Sequence, residues 1–340
     1  MGLAGTPIDP PRGFEPGPRN LITDVAGIRV GHVTLSNGGV QTGVTALLPP
    51  GSRIFERKLH AAAQVFNGYG KSAGLVQVDE LGLMESPVAL CGTLSVGTCW
   101  QALCRRLASD NPGLTSVNPL VFECNDGTLN DIRGFHLTEA DVWQALDSAA
   151  ADFVEGAVGA GRGMVCHGLS GGIGSASRMI DIDGWRFTMG VLVLTNHGLL
   201  RDLAINGNPL GRGLADGGEA KQVDTGSVIM IIATDVPLTH LKLRRICRRA
   251  VIGLARTGAY MGHGSGEIAF AFSTHGGVRH QDGAAFRSHK ELTDAHMDTM
   301  FRAATECVEE SVLSSLWHAE AVTGYRGRRV PSLRELIDIF

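Results

Sequence analysis

Hydrophobic and polar positions alternate through Ile28-Arg29-Val30-Gly31-His32-Val33, the period-two pattern of a half-buried strand. A second strand is predicted over residues 43–48, stopped by Pro49-Pro50-Gly51. Residues 75–83 and 95–108 carry helical spacing, the latter with Val96, Cys99, Leu103 and Leu107 on one face. A short strand over residues 87–90 separates them. Residues 120–123 read as a short apolar strand running into the turn signal Asn125-Asp126-Gly127. Thr138 followed by Asp141 is close in form to a capping box and opens a helix to residue 150.

Further on, residues 187–194 form a buried strand, and residues 227–233 are the most β-prone segment of the chain. Residues 238–256 read as a helix, residues 267–272 as a strand, and residues 291–319 as one long amphipathic helix or two. Residues 1–20 read as an extended arm, and residues 206–225 as a polar, glycine-rich connection. No repeat of fixed period occurs. Strands and helices mix without strict βαβ alternation, which favours sheets packed under helices over a doubly wound fold.

Composition narrows the function. Charged residues are 19% and apolar residues 44% of 340, a globular rather than disordered balance. The net charge of −4 lacks the basic excess of a duplex-binding protein, so no nucleic-acid partner is expected. One basic cluster, Lys242, Arg244, Arg245, Arg248 and Arg249, reads as a solvated helix face. The seven cysteines are odd in number and scattered, with no C-x-x-C, as suits reduced thiols in a cytoplasmic protein. Neither a secretory signal nor an 18-residue apolar run is visible, so no membrane partner is expected. Glycine is in excess, at 46 residues, and eight of these crowd into residues 156–174.

Several motifs fail on inspection. Gly70-Lys71-Ser72 ends like a P-loop, but Val65 stands where its first glycine belongs. Gly168-Leu169-Ser170-Gly171-Gly172 matches a G-x-S-x-G elbow, yet lacks the strand before and helix after that the elbow needs. The twelve histidines show no metal-ligand spacing. His32, His197 and His263 read as polar loop residues, and no metal or organic cofactor is expected.

One junction has chemical content. A polar connection ending in Val223-Asp224-Thr225-Gly226 runs into Ser227 and then a buried strand. Serine opens a structural strand poorly, but it suits an N-terminal nucleophile. Freed by cleavage of its own peptide bond, it carries an α-amine with an ordinary pKa of about 7.7–8.0, able to act as general base. Gly226 leaves room for the serine hydroxyl to reach the preceding carbonyl and tolerates a strained backbone. From spacing alone, Gly-Ser before a strand is also an ordinary turn.

The segment from Gly226 to Leu238, GSVIMIIATDVPL, resembles the nucleophile segment of the DmpA/BapA β-aminopeptidases, self-cleaving N-terminal serine peptidases. Residues 22–32 (ITDVAGIRVGH) resemble that family's opening. Residues 155–161 (EGAVGAG) with Gly171-Gly172-Ile173-Gly174 resemble its central glycine block. Residues 255–258 (ARTG) and 264–268 (GSGEI) resemble its later part. The similarity spans roughly residues 20–275.

The resemblance implies an α/β (α+β) fold: a four-layer αββα sandwich of N-terminal-nucleophile type, related to the ornithine acetyltransferase fold. It implies one domain over residues 1–340, matured by cleavage into residues 1–226 and 227–340. Ser227 matches the nucleophile, Asn196 the oxyanion asparagine, and Ser265 with Glu267 the pair that polarises the nucleophile. Glu123 matches the acidic group that binds a substrate's free amine. Asn125 stands where some members carry an oxyanion-assisting tyrosine and could donate a hydrogen bond instead. Read without the family, Asn196 is also a turn residue, Ser265 and Glu267 are also loop and strand-edge polars, and Glu123 is also a solvated strand end. The implied activity is release of N-terminal β-, L- or D-residues from short peptides, amides or esters, by a homo-oligomer without cofactor. An acyltransferase of ornithine-acetyltransferase type and a non-catalytic binding protein are the rivals. The first typically uses threonine as nucleophile, and the second would have lost the nucleophile.

Overall fold

Two sheets stack face to face, and helices cover the outer face of each. The computed structural model describes residues 2–51, 53–214 and 223–337. The main strands are β1 (Arg29–Asn37), β2 (Val40–Leu48), β3 (Arg57–Gly68), β4 (Val88–Gly92), β5 (Leu120–Cys124), β6 (Gly172–Ile182), β7 (Trp185–Asn196), β8 (Ser227–Thr234) and β9 (Gly266–Ser273). The main helices are α1 (Leu75–Leu81), α2 (Val96–Asp110), α3 (Glu139–Asp147), α4 (His240–Arg256) and α5 (Met297–His318). The first sheet runs β1-β2-β4-β5, and the second runs β3-β9-β8-β7-β6. In the second sheet β8 and β9 are parallel, and the other pairs are antiparallel.

Three apolar layers hold the stack together. Leu90 and Phe122 of the first sheet meet Ile229, Ile231 and Phe270 of the second, with the two phenyl centroids 5.4 Å apart. Helices α2 and α3 cover the first sheet, Leu103, Val142 and Leu146 lying over Val33, Val44 and Ala89. Helices α4 and α5 cover the second, with Ile246, Leu254, Val308 and Leu313 over Val191, Met230 and Ala269. The result is the expected αββα sandwich. Because β8 is buried on both faces, it reads as a continuous apolar run rather than an alternating one. Its even positions, Val228, Met230 and Ile232, belong to the helix-side core. Its odd positions, Ile229, Ile231 and Ala233, belong to the core between the sheets.

The expected elements are present with small boundary shifts. The Thr138–Asp141 capping box is complete: Asp141 N–H donates to Thr138 Oγ1, and Thr138 N–H donates to Asp141 Oδ2 at 2.8 Å. The long C-terminal helix is α5, preceded by a single 3-10 turn at Asp294–His296. Of the polar connection over 206–225, residues 215–222 lie outside the described residues. The basic cluster of α4 is largely paired: Arg245 with Asp294 at 2.9 Å, Arg244 with Asp79 at 3.3 Å, and Arg249 stacked on Phe301. All seven cysteines are free thiols. Among the described residues no helix is long and apolar enough to cross a membrane.

One expectation needs correction. His32 lies within strand β1, not a loop, and its Nδ1 is 2.9 Å from Thr45 Oγ1. Part of the glycine block, with the residues after it, is the long strand β6. Small residues line β6 because α5 crosses it closely. A Cβ on Gly174 would overlap the carbonyl oxygen of Ser311 and stand 2.7 Å from Ser315 N. Gly174→Ala is therefore expected to lower unfolding stability by about 2 kcal/mol, since backbone on backbone cannot yield as a side chain does. Urea unfolding measures it, and an unchanged midpoint would contradict the close crossing.

Candidate active site

Sheet register brings the site together. Ser227 opens β8, where it pairs with Asn196 at the end of β7 and with Gly266 at the start of β9. Ser227 shares its strand face with Ile229, and Asn196 shares its face with Leu194, so both look toward the first sheet. Both are buried. The Ser227 hydroxyl donates to the carbonyl oxygen of Gly226 at 2.8 Å. Gly266 N–H donates to the same oxygen at 3.1 Å. The peptide carbonyl at the junction is thus polarised by a fixed backbone donor while the serine hydroxyl sits against it.

Gly226 is required by space rather than by a left-handed backbone. A Cβ there would overlap the Asn196 carbonyl oxygen and approach His197 Cα to 2.6 Å. Its N–H donates to Asp224 Oδ1 at 3.1 Å, as does Gly198 N–H. Asp224 therefore pins the residues on both sides of the crossing. Sequence reasoning passed over it, and over Gly266. The signals available were their places, two residues before Ser227 and inside Gly264-Ser265-Gly266-Glu267.

The Asn196 amide is held at both ends. Its Oδ1 accepts from Val165 N–H at 2.9 Å, and its Nδ2 donates to the Asn125 carbonyl oxygen at 3.1 Å. One of the two amide hydrogens is so engaged, and the other remains for an oxyanion. Asn125 contributes its backbone here. Its side-chain Oδ1 is turned back to accept from Gly127 N–H at 2.9 Å. Glu123, two residues earlier on β5, is buried, and its Oε1 accepts from Lys71 N–H at 2.8 Å. The failed P-loop residues thus serve as part of the wall around this carboxylate, with Gly70 packed against it.

Ser265 and Glu267 form a directly bonded pair, with the hydroxyl donating to Oε1. Glu267 neighbours Val228 across the β8–β9 ladder, and its Oε2 is buried without a hydrogen-bond partner. Burial pushes its carboxyl up to about 7, the Ser265 hydrogen bond opposes that, and the Asp224 charge adds to it. By contrast Ser170 lies fully buried in the two-residue strand Leu169–Ser170 and leads into β6, not into a helix. It is no nucleophile elbow.

Two stacked sheets between helix layers, with a serine heading a central strand against a polarised carbonyl, define a serine hydrolase of N-terminal-nucleophile type. The pattern of peptidase family S58 matches residues 20–330, and the chain belongs to that family. It is similar to the "Beta-peptidyl aminopeptidase BapA" of Sphingosinicella microcystinivorans, 36% identical over 94% of this chain and 86% of that protein. Among solved structures it is similar to the PH0078 protein from Pyrococcus horikoshii OT3, with a TM-score of 0.94 and 44% identity over 100% and 98% of the two chains. It is also similar to the l-aminopeptidase d-ala-esterase/amidase of Ochrobactrum anthropi, with a TM-score of 0.91 and 35% identity over 98% and 96% of the chains. That enzyme is described as a prototype for the serine aminopeptidases and a new variant among the Ntn hydrolase fold. The chain is a hydrolase of this aminopeptidase class.

The raised carboxyl of Glu267 has a signed consequence for stability. The folded chain keeps a proton that the unfolded chain releases near 4.5, so ionising Glu267 opposes folding. Its contribution is full below about pH 4.5 and is lost as pH rises through about 7. Glu267→Gln is expected to flatten that part of the stability curve. Urea unfolding of the two forms as continuous chains, each also carrying Ser227→Ala, tests it across this range, and parallel curves would refute the raised value.

Proposed function

We propose that this chain cuts its own Gly226–Ser227 bond and then works as an N-terminal serine aminopeptidase. The observation that carries the reading is the Gly226 carbonyl, held by Gly266 N–H with the Ser227 hydroxyl against it. In the first reaction Ser227 Oγ attacks the Gly226 carbonyl carbon. The C–N bond breaks, the serine nitrogen takes the hydroxyl proton, and an ester joins Gly226 to Oγ. Water hydrolyses the ester and leaves a Gly226 carboxylate and a free Ser227 amine. Glu267, poised near neutrality and bonded to Ser265, is the group suited to exchange protons beside the nucleophile. Maturation would give chains of 226 and 114 residues from one αββα domain.

The mature cycle repeats the acyl transfer on substrate. The Ser227 amine takes the proton from its own hydroxyl as Oγ attacks the amide or ester carbonyl. The free Asn196 N–H, and Gly266 N–H in the place it already holds, stabilise the tetrahedral oxyanion. The leaving amine or alcohol takes the proton, and water frees Ser227. The Glu123 carboxylate receives the substrate's ammonium, a charge-assisted contact that selects a free N-terminus. Substrates are short peptides, amides or esters with N-terminal β-, L- or D-residues, as the names of the relatives suggest. The free thiols favour a cytoplasmic setting, and the working form is a homo-oligomer of cleaved pairs, a tetramer on the family pattern.

Mass spectrometry of the purified protein is expected to show two polypeptides, the smaller beginning Ser227-Val228-Ile229. A wild-type chain that remains whole under activating conditions overturns the proposal. Ser227→Ala is expected to stay uncut and inert toward β-alanyl and D-alanyl amides, and surviving turnover would move the chemistry elsewhere. Once matured, Asn196→Ala is expected to lose about 100- to 1,000-fold in kcat, the usual range for removing one oxyanion donor. Glu123→Gln is expected to raise KM for substrates with a free amine, and an unchanged KM would remove Glu123 from that role.

A further inference from the structure

Behind the junction, on the opposite face of the second sheet, stands a cluster that the peptidase chemistry does not use. Cys166, His167 and His197 are buried and each offers one ligand atom, these atoms all lying within 4.8 Å of one another. His167 Nδ1 is 3.0 Å from the Leu199 carbonyl oxygen, which can only accept, so the proton sits on Nδ1 and Nε2 presents a lone pair. That Nε2 has no hydrogen-bond partner, and neither ring nitrogen of His197 has one. The rings meet edge to face with centroids 5.3 Å apart. Buried imidazole nitrogens left unpaired are costly and call for a ligand.

We propose that Cys166, His167 and His197 bind a single divalent transition-metal ion of the zinc class. One sulfur and two imidazole nitrogens are the donor set that a borderline-soft, tetrahedral ion prefers. Tetrahedral ligands at zinc distances stand about 3.5 Å apart, so small side-chain rotations close the cluster onto an ion. Binding converts the Cys166 thiol to thiolate and releases its proton to solvent, while both histidines bind neutral. Asp224 supplies the remaining charge. Its Oδ2 is buried without a partner, and its charge acts on both Cys166 and His167. Dication, thiolate and carboxylate then sum to zero, and a water completes the fourth position. The ion would act as a clamp. His197 follows Asn196, and its backbone carbonyl accepts from His167 N–H at 2.6 Å, so the bound metal fixes the end of β7 that carries the amide.

The test uses the full chain produced in zinc- or cobalt-supplemented medium and passed over a chelating resin. The expected result is one metal ion per chain. The cobalt form should show a thiolate-to-cobalt charge-transfer band in the near ultraviolet, and X-ray absorption should show one sulfur and two imidazole scatterers. Cys166→Ser should lose that band, and His197→Phe should weaken metal retention by about tenfold or more. Cys104→Ser, outside the cluster, should behave as wild type. A wild-type protein that retains no metal, a metal without sulfur in its shell, or a band that persists in Cys166→Ser overturns the proposal. The wild-type spectra decide even if a variant fails to fold.

Discussion

Register in the second sheet is the constraint on which the site depends. Ser227 has its place because β8 pairs antiparallel with β7 and parallel with β9, which sets it between Asn196 and Gly266. Strand side chains alternate, so a slip of one residue would turn Ser227 toward the helices and Val228 toward the first sheet. The register is strongly specified because both faces of β8 are buried: Val228, Met230 and Ile232 under α4 and α5, Ile229, Ile231 and Ala233 against the first sheet. A slip would exchange two packed cores at once. The apolar run after Ser227 is therefore what aims the hydroxyl, and the close crossing of Gly226 over Asn196 completes the aim.

That logic explains what was legible in the sequence. Strands β7, β8 and β9 announce themselves because residues buried on both faces make apolar runs. Strands β3 and β6 do not. In β3 the alanines of Arg57–Gly68 favour helix as readily as strand, and it is the pairing with β9, not residue type, that makes it a strand. Strand β6 is rich in glycine and serine because α5 packs on its backbone, so its lack of apolar side chains records proximity, not looseness. The polar site groups are harder. Ser227 stood out at its junction with a buried strand, though an ordinary turn fitted it too, whereas Asn196 and Glu123 carried a signal only through family resemblance, since each also suits a turn or a strand end. Gly266 and Asp224 act through a backbone N–H and through hydrogen bonds to backbone, which residue type does not advertise. Asn125 meets Asn196 with its backbone carbonyl, a contact that does not depend on the side chain at that position.

Electrostatics links the two halves of the proposed reaction. Around the continuous chain's junction stand buried carboxylates: Glu267, with Oε2 unpaired, and Asp224, whose charge raises it. A protonated Glu267 is the response of such a site when no cation is at hand. Cleavage changes the inventory, because breaking the Gly226–Ser227 bond makes an ammonium-forming amine at the head of β8, next to Gly266 and one residue from Glu267 in the adjoining strand. A cation there favours the ionised carboxylate, so the Glu267 value should fall once the bond is cut. The new carboxylate at Gly226 acts in the opposite sense, while the amine stays anchored by the β8 ladder beside Gly266. On this reading the amine made by the cut supplies the cation that the buried Glu267 carboxyl lacks in the continuous chain.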